Sequence, residues 1–193
     1  MLLLARHGQT GPNQAGLLLG RADAPLTDLG RRQAAAMART LGPVARVISS
    51  PLVRARETAA ALGPRVEIDD RWIEVDYGAY EGLPYGEVPD DAWQRWRSEP
   101  EWQPPGGESL AAVGRRVRQA CEELAVAAED ADIVVVSHVS PIKAAVAWAL
   151  GVGDEVAWRM FLDVAALCRV AVGPRGPSLR GYNDRHHLDD LAP

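Results

Sequence analysis

The chain has 193 residues, which is long enough for one domain with a single sizeable core. Apolar residues make up 47% and charged residues 24%, a balance that is ordinary for a globular protein and argues against disorder. The formal net charge of −5 excludes a general electrostatic attraction to nucleic acid or to an anionic membrane, so an anion site requires a local concentration of positive charge.

Short apolar runs alternate with longer helical patterns, which indicates an α/β domain with a mostly parallel central sheet. The sequence predicts strands at residues 2–5, 44–49, 65–68, 133–137, 165–172 and 179–182. It predicts helices at 27–41 with Thr27 as N-cap, at 50–62 and at 108–129. Two Ser-Pro pairs, 50–51 and 140–141, are each expected to open a helix, since proline is well tolerated at the first helical position.

One region breaks this alternation. Between Trp72 and Trp102 lie four of the six tryptophans and three of the four tyrosines, together with three prolines. This segment is richer in aromatic residues than is expected of a simple connecting loop. We therefore expect one domain over residues 1–193, with a lid-like excursion at about 72–108 that packs over one end of the sheet.

Signals for secretion or for a membrane span are weak. The apolar start of the chain is interrupted by Arg6 and is too short for the hydrophobic core of a signal peptide. The apolar run 142–150 is interrupted by Lys143 and is too short to span a membrane. Cys121 and Cys168 form neither a disulfide framework nor a metal-ligand spacing, so we expect them to be buried and reduced. A cytoplasmic protein with no membrane partner is the expectation.

Polar residues follow three predicted strands, and ligands of open α/β sheets bind beyond the carboxyl ends of strands. The first strand leads to Arg6 and His7, the second to the serines 49–50 and then Arg54, and the third to His138. If these strands are parallel, two histidines and two arginines converge on one crevice.

Taken singly, each of these residues also has an ordinary structural explanation. Arg54 lies in the first turn of a predicted helix, where the helix dipole disfavours a cation unless an anion is near. His138 directly precedes a predicted helix start, whose free N–H groups can hold a phosphate. The combination of these features, rather than any one of them, indicates an anion site.

Four segments of the chain carry a family pattern in a fixed order. They are Arg6-His7-Gly8-Gln9-Thr10 with Asn13, Gly20, Asp23, Pro25-Leu26-Thr27 and Gly30; Ser49-Ser50-Pro51-Leu52 with Arg54-Ala55 and Thr58; Glu74 with Gly78 and Glu81-Gly82; and Ser137-His138. This pattern resembles the histidine phosphatase superfamily, which contains the cofactor-dependent phosphoglycerate mutases. The resemblance covers most of the chain and implies a three-layer α/β/α sandwich.

The resemblance also implies roles for individual residues. The implied catalytic residues are His7, Glu74, His138, Arg6 and Arg54. The implied substrate-binding residues are Arg6, Gln9, Thr10, Asn13, Arg54, Glu74 and Val139, the last through its backbone N–H. His7 would attack phosphorus, and Glu74 would protonate the leaving oxygen and then activate water, with Glu81 as the alternative acid.

The chemistry fits this assignment. Phosphoryl transfer needs positioning and neutralisation of negative charge, which two arginines and a second histidine supply without magnesium. The sequence offers no cluster of carboxylates and histidines at metal-ligand spacing, so we expect no metal and no cofactor. One departure from the family concerns Val139, which stands where many members carry glycine, and it leaves the geometry of the oxygen contacts open.

The sequence thus favours a metal-independent phosphatase that acts through a phosphohistidine on a small-molecule phosphomonoester. A mutase is the alternative, but the mutases resembled have longer chains and an Arg-Tyr-Gly stretch after the acid, where this chain has Val-Asp-Tyr-Gly at 75–78. The segment from Glu81 to Glu108 contains seven acidic residues, both ends included. We expect this acidic segment to disfavour a substrate that carries a second carboxylate or phosphate.

A module that senses phosphate or binds a partner without catalysis is the other hypothesis, and loss of His7, Arg54 or His138 would have supported it. All three residues are present. The aromatic excursion suggests a leaving group with an apolar or ring portion, but no residue singles out the substrate. The oligomeric state is left open.

Overall fold

The computed structural model describes residues 1–191. Six strands form one sheet in the order β3-β2-β4-β1-β5-β6. They are β1 Leu2–Arg6, β2 Arg46–Ser49, β3 Glu67–Ile68, β4 Ile133–Ser137, β5 Leu167–Ala171 and β6 Ser178–Asp184. The first four strands are mutually parallel, whereas β5 and β6 are antiparallel at one edge. The predicted α/β fold with a mostly parallel sheet is confirmed.

Side chains alternate along the central strands between two buried faces, as the pleat of a strand requires. On one face, side chains such as Leu4 and Val135 pack against two helices, α5 Leu110–Asp130 and α6 Val139–Leu150. On the other face, Leu3, Ala5, Val134 and Val136 pack against α2 Asp28–Leu41 and α3 Val53–Ala60. The result is the expected three-layer α/β/α sandwich. The remaining helices are α1 Gly11–Gln14 and α4 Asp90–Ser98.

Local sequence signals placed the start of α2 correctly, whereas the two Ser-Pro pairs do not mark the first residues of α3 and α6, although α6 does follow His138 directly as expected. The Thr27 hydroxyl accepts the Gly30 N–H and caps α2, as predicted. By contrast, α3 begins at Val53, two residues after Pro51, and α6 begins at Val139, before the second Ser-Pro pair. In both cases a carboxylate from a distant part of the chain accepts N–H groups of the first turn, which a local signal does not reveal.

Strand register brings the ends of three parallel strands together. Arg6 at the end of β1 lies opposite Ser137 at the end of β4, and Ser49 at the end of β2 lies opposite Val136. The loop that leaves β1 runs directly over the start of α2. A Cβ atom on Gly8 would collide with the backbone of Gly30, so this approach requires glycine.

The segment between Trp72 and residue 108 contains short 3-10 turns and α4. Its residues Val88 and Ala92 form a small hydrophobic cluster with Leu18, which lies between α1 and α2, and partly buried aromatic side chains surround them. Both cysteines are buried and free. None of the helices within residues 1–191 has the length and apolar character needed to cross a membrane.

Candidate active site

His7 is buried directly after β1, with 3% of its surface exposed. Its Nδ1 atom lies 2.7 Å from the carbonyl oxygen of Gly8. Because a carbonyl oxygen only accepts hydrogen bonds, Nδ1 carries the proton in the neutral ring and the lone pair is on Nε2. Burial, with the positive charges of Arg54 and Arg6, holds the pKa of His7 well below its usual value. The ring is therefore neutral and has a nucleophilic nitrogen at neutral pH.

His138 lies beside His7, with 5.0 Å between the ring centroids. Its Nδ1 accepts a hydrogen bond from Arg54 Nε at 3.2 Å, so Nε2 bears the proton and donates it to the Ser50 hydroxyl at 2.7 Å. Burial and the nearby Arg54 hold the pKa of His138 well below its usual value. The second histidine is thus also neutral and is fixed in one tautomer.

Arg54 is a fully buried cation on α3. Besides His138, its guanidinium donates to the carbonyl oxygens of Gly20 at 2.6 Å and Ala22 at 2.9 Å. None of the ion pairs found within residues 1–191 involves it, and burial lowers its pKa. A buried charge without an opposite charge is costly, which favours an anion in this position.

Arg6 is the second cation of the site. Its Nη1 donates to the Leu162 carbonyl at 2.6 Å, and its buried Nε has no hydrogen-bond partner in the described part of the chain. Burial lowers the pKa of this guanidinium, although the carboxylate of Glu74 opposes the shift. Arg6 therefore retains donor capacity for an anion.

Glu74 is buried in the excursion, with 3% of its surface exposed. Its Oε2 accepts the Val139 N–H at 3.0 Å, and its Oε1 accepts the N–H groups of Ser140 at 3.1 Å and Val75 at 2.9 Å. The carboxylate thus occupies the N-terminus of α6. In this structure the Val139 N–H donates to Glu74, and its predicted contact with a phosphoryl oxygen stays a prediction.

Glu81, the alternative acid, has a different position. Its Oε1 and Oε2 accept the backbone N–H groups of Gly20 at 2.8 Å and Arg21 at 3.1 Å. The same loop supplies the carbonyl oxygens that hold Arg54. Glu81 therefore stabilises the loop that positions Arg54. Glu74, by contrast, is the carboxylate that contacts α6, the helix that begins directly after His138.

We refer to His7, Arg54, Glu74 and His138 as the histidine pocket. Next to it lies a cavity of about 270 Å³, which we call the aromatic cavity. Its wall includes Arg6, Val139 and Ser140, the neighbours of the pocket, and six aromatic side chains. These are Tyr77, Tyr85, Trp93, Trp96, Trp158 and Phe161. A ligand with its anionic end in the histidine pocket can extend into this cavity.

A model of the histidine phosphatase superfamily (branch 1) matches residues 2–185. The chain belongs to this superfamily. It is 34% identical over 203 residues to phosphoserine phosphatase 1 of Hydrogenobacter thermophilus, with 98% of this chain and 95% of that protein covered. It is 42% identical over 176 residues to a bifunctional protein of Mycobacterium tuberculosis, which covers 86% of this chain, but the match spans only 48% of that protein's length.

A solved structure of a related histidine phosphatase is similar over nearly the whole chain. The phosphoserine phosphatase mutant of Entamoeba histolytica in complex with phosphoserine superposes with a TM-score of 0.90 at 27% identity. The superposition covers 97% of this chain and 98% of that one. The family resemblance inferred from the four sequence segments is confirmed.

Three further residues predicted to bind substrate in this histidine phosphatase make contacts that stabilise the chain. The Thr10 hydroxyl caps α1 by accepting the Asn13 N–H at 3.3 Å, and it donates to Asn13 Oδ1 at 2.9 Å. The Gln9 side chain accepts the Thr27 hydroxyl at 2.9 Å. None of the three lines the aromatic cavity as far as the described residues show, so their binding role remains a prediction.

Several groups that shape the site were not among the predicted site residues. The Ser50 hydroxyl fixes the His138 ring, and Thr58 accepts the Gly8 N–H at 3.1 Å. Both residues belong to the quoted family segments, so the pattern contained a signal for them. The carbonyl oxygens of residues 20, 22 and 162 carry no such signal, because any residue type supplies one. Within residues 1–191, no group of three or more His, Cys, Asp or Glu side chains is arranged to hold a metal ion.

Proposed function

We propose that this protein is a metal-independent phosphomonoesterase that acts on a small phosphorylated metabolite through a phosphohistidine intermediate. The observation that carries this proposal is the neutral His7, which has its lone pair on Nε2 and is buried within the electrostatic influence of the cations Arg54 and Arg6. In-line phosphoryl transfer needs a nucleophile and positive charge together in one buried pocket. Membership in the superfamily and the phosphatases among its relatives support the same assignment.

In the first step, Nε2 of His7 attacks phosphorus while the bond from phosphorus to the ester oxygen breaks. Arg6 and Arg54 neutralise the charge on the phosphoryl oxygens. The departing oxygen takes a proton from the carboxyl group of Glu74. The step leaves a phosphorylated His7 and releases an alcohol.

In the second step, water attacks the phosphohistidine and the phosphorus–nitrogen bond breaks. Glu74 accepts the proton of the water, returns to its starting state and frees inorganic phosphate. The hydrogen bond from His7 Nδ1 to Gly8 keeps the tautomer fixed through both steps. The Ser50 hydroxyl and Arg54 together hold the His138 ring beside the reacting group.

The substrate class is inferred from the size of the cavity and from the relatives. An aromatic cavity of about 270 Å³ suits a small metabolite rather than a phosphoprotein. Phosphoserine is bound in one related structure and gives its name to a related phosphatase. We therefore place the substrate among small phosphorylated metabolites.

The test is hydrolysis of 4-nitrophenyl phosphate by the purified protein, without and with excess EDTA. We expect activity to persist with the chelator, and rapid quenching at alkaline pH to trap an acid-labile phosphoprotein. Activity that disappears with EDTA and returns with magnesium or zinc would contradict the proposal. A screen of phosphomonoesters under the same conditions then ranks the substrates.

A further inference from the structure

The charge on the walls of the aromatic cavity differs from the charge of the segment that covers it. Of the described residues that line the cavity, Arg6 and Lys143 are charged, and both are cationic. Lys143 is the single lysine of the chain. Because Arg6 is assigned to the phosphoryl group, Lys143 is the lining cation that remains for a second anionic group of the ligand.

The acidic residues of the excursion do not oppose this conclusion, because their side chains serve elsewhere. Glu99 pairs with Arg95 at 3.2 Å, Glu101 with Arg115 at 2.8 Å, and Glu108 with Arg116 at 2.9 Å. Glu81 holds backbone N–H groups, and residues 87, 90 and 91 are exposed. Four of the seven acidic side chains therefore have partners elsewhere, and within the described residues none of the seven lines the cavity. The expectation that this acidic segment disfavours a second carboxylate stays a prediction, which the substrate comparison below tests.

Lys143 is placed for a contact close to the reacting centre. It follows Val139 by four residues on α6, so the two side chains lie on one face of the helix about one turn apart. Val139 and Ser140, which contact Glu74, line the same cavity. An anion that reaches Lys143 is thus roughly one helix turn, about 5 Å, from the end of the helix that His138 caps.

The Lys143 ammonium group has no partner of its own. Neither an ion pair nor a hydrogen bond is found for it within residues 1–191, and the nearby carboxylate of Glu74 is occupied by three N–H groups. Burial lowers the pKa of Lys143, with Glu74 opposing and Arg6 adding to the shift. An unpaired, partly buried ammonium group is stabilised by a ligand carboxylate.

We propose that Lys143 is a specificity-determining residue that binds a carboxylate of the substrate, so that the preferred substrates are phosphate esters of small hydroxy acids. This inference rests on the proposed phosphatase function. The phosphoryl group occupies the histidine pocket with Arg6 and Arg54, and the carboxylate, a short carbon chain away, pairs with Lys143. The aromatic walls enclose the carbon skeleton between the two anionic ends.

The test compares 3-phosphoglycerate with glycerol 3-phosphate, which carries a hydroxymethyl group in place of the carboxylate. We expect the wild-type enzyme to prefer 3-phosphoglycerate in kcat/KM. Lys143→Met should reduce this preference about 10- to 100-fold, mainly through KM, which is the range for one hydrogen bond between charged groups. Lys143→Arg should retain most of it, because the charge remains.

Arg39→Met is the matched control, since it removes one positive charge from an exposed position on α2. We expect it to leave the ratio of the two substrates unchanged. A wild-type enzyme without the preference, or an equal loss for both substrates in Lys143→Met, would overturn the inference while leaving the phosphatase function intact. A wild-type protein that hydrolyses neither these esters nor 4-nitrophenyl phosphate would overturn both.

Discussion

The histidine pocket and the aromatic cavity are adjacent, yet they are built differently. In the histidine pocket, contacts from distant segments fix each ring and charge, as the bonds of His138 to Ser50 and Arg54 illustrate. In the aromatic cavity, rings pack against rings, and Lys143 and the Nε of Arg6 have no hydrogen-bond partner within residues 1–191. The first region is already organised for one reaction, whereas the second can accept different ligands.

This difference separates two kinds of variant. Changes in the histidine pocket should reduce turnover of every substrate, because all substrates share the phosphoryl group. Changes in the aromatic cavity should alter the ratio between substrates, because only the leaving group contacts it. The variants below, from the largest expected effect to the smallest, test whether the histidine pocket controls turnover and the aromatic cavity controls the choice of substrate.

The largest effect is expected for His7→Ala. This variant lacks the proposed nucleophile, so turnover should fall to background with every phosphomonoester, and no phosphoprotein should be trapped. The exposed His186→Ala is the control and should behave as wild type. Substantial residual activity in His7→Ala would show that another group attacks phosphorus.

Arg54→Met should cost about 10³-fold or more in kcat/KM with every substrate, the range for arginines that stabilise phosphoryl transfer. Arg56→Met is the matched control, because Arg56 lies on the same helix but is exposed. A thermal melt accompanies both, since Arg54 also holds the loop of Gly20. Equal effects of the two variants would remove the basis for assigning the anion site to Arg54.

Glu74→Gln should depend on the leaving group. With an alkyl phosphate, whose oxygen leaves only when protonated, we expect a loss of about 10²–10⁴-fold. With 4-nitrophenyl phosphate the first step should be nearly unimpaired, and a phosphohistidine should accumulate because the water lacks its base. The glutamine also places an amide at the N-terminus of α6. If this weakens the start of the helix, the activity with both substrates should fall equally.

Glu81→Gln provides the comparison for Glu74→Gln. It weakens one of the two hydrogen bonds that clamp the loop at Gly20 and Arg21. We expect a loss of a few fold, equal for both substrates, since Arg54 is only indirectly affected. If the leaving-group dependence appears in Glu81→Gln instead, the acid is assigned to the wrong glutamate.

The smallest effects on catalysis are expected in the aromatic cavity. Trp93 is half-buried and lines the cavity, so Trp93→Ala should change which leaving groups are accepted, with little change in the melting temperature. Trp96 is 2% exposed and contacts the rings of Tyr77, Trp93, Trp102 and Trp158. Its replacement by alanine should lower the free energy of unfolding by about 3–5 kcal/mol and reduce the activity with all substrates to the same extent.

Trp96 therefore illustrates what the sequence did not distinguish. The sequence places Trp93 and Trp96 together in the aromatic excursion, and their spacing in the chain gives no measure of burial. Both residues line the cavity, but the structure distinguishes Trp96, which is packed among four other rings, from the half-buried Trp93. Kinetic and melting data on the pair of variants would contradict this separation if the two behaved alike.

The sequence by itself determined the mostly parallel central sheet with its helices and the meeting of His7 with His138, whereas the three-layer arrangement was implied by the family resemblance. Buried strands and amphipathic helices are encoded by local apolar patterns, and the ends of parallel strands necessarily meet at one edge of a sheet. The family segments added the likeness to histidine phosphatases, including the positions of Ser50 and Thr58.

Only the tertiary structure decided the finer arrangement of the site. Asp23 accepts the Val53 N–H at 2.8 Å and Glu74 accepts that of Val139, so both helix starts depend on carboxylates far along the chain. Glu101 and Glu108 of the excursion likewise find their partners, Arg115 and Arg116, on the separate helix α5. Local patterns encode which residues are buried, but they do not encode which distant partner a polar group finds, because that depends on how the elements pack.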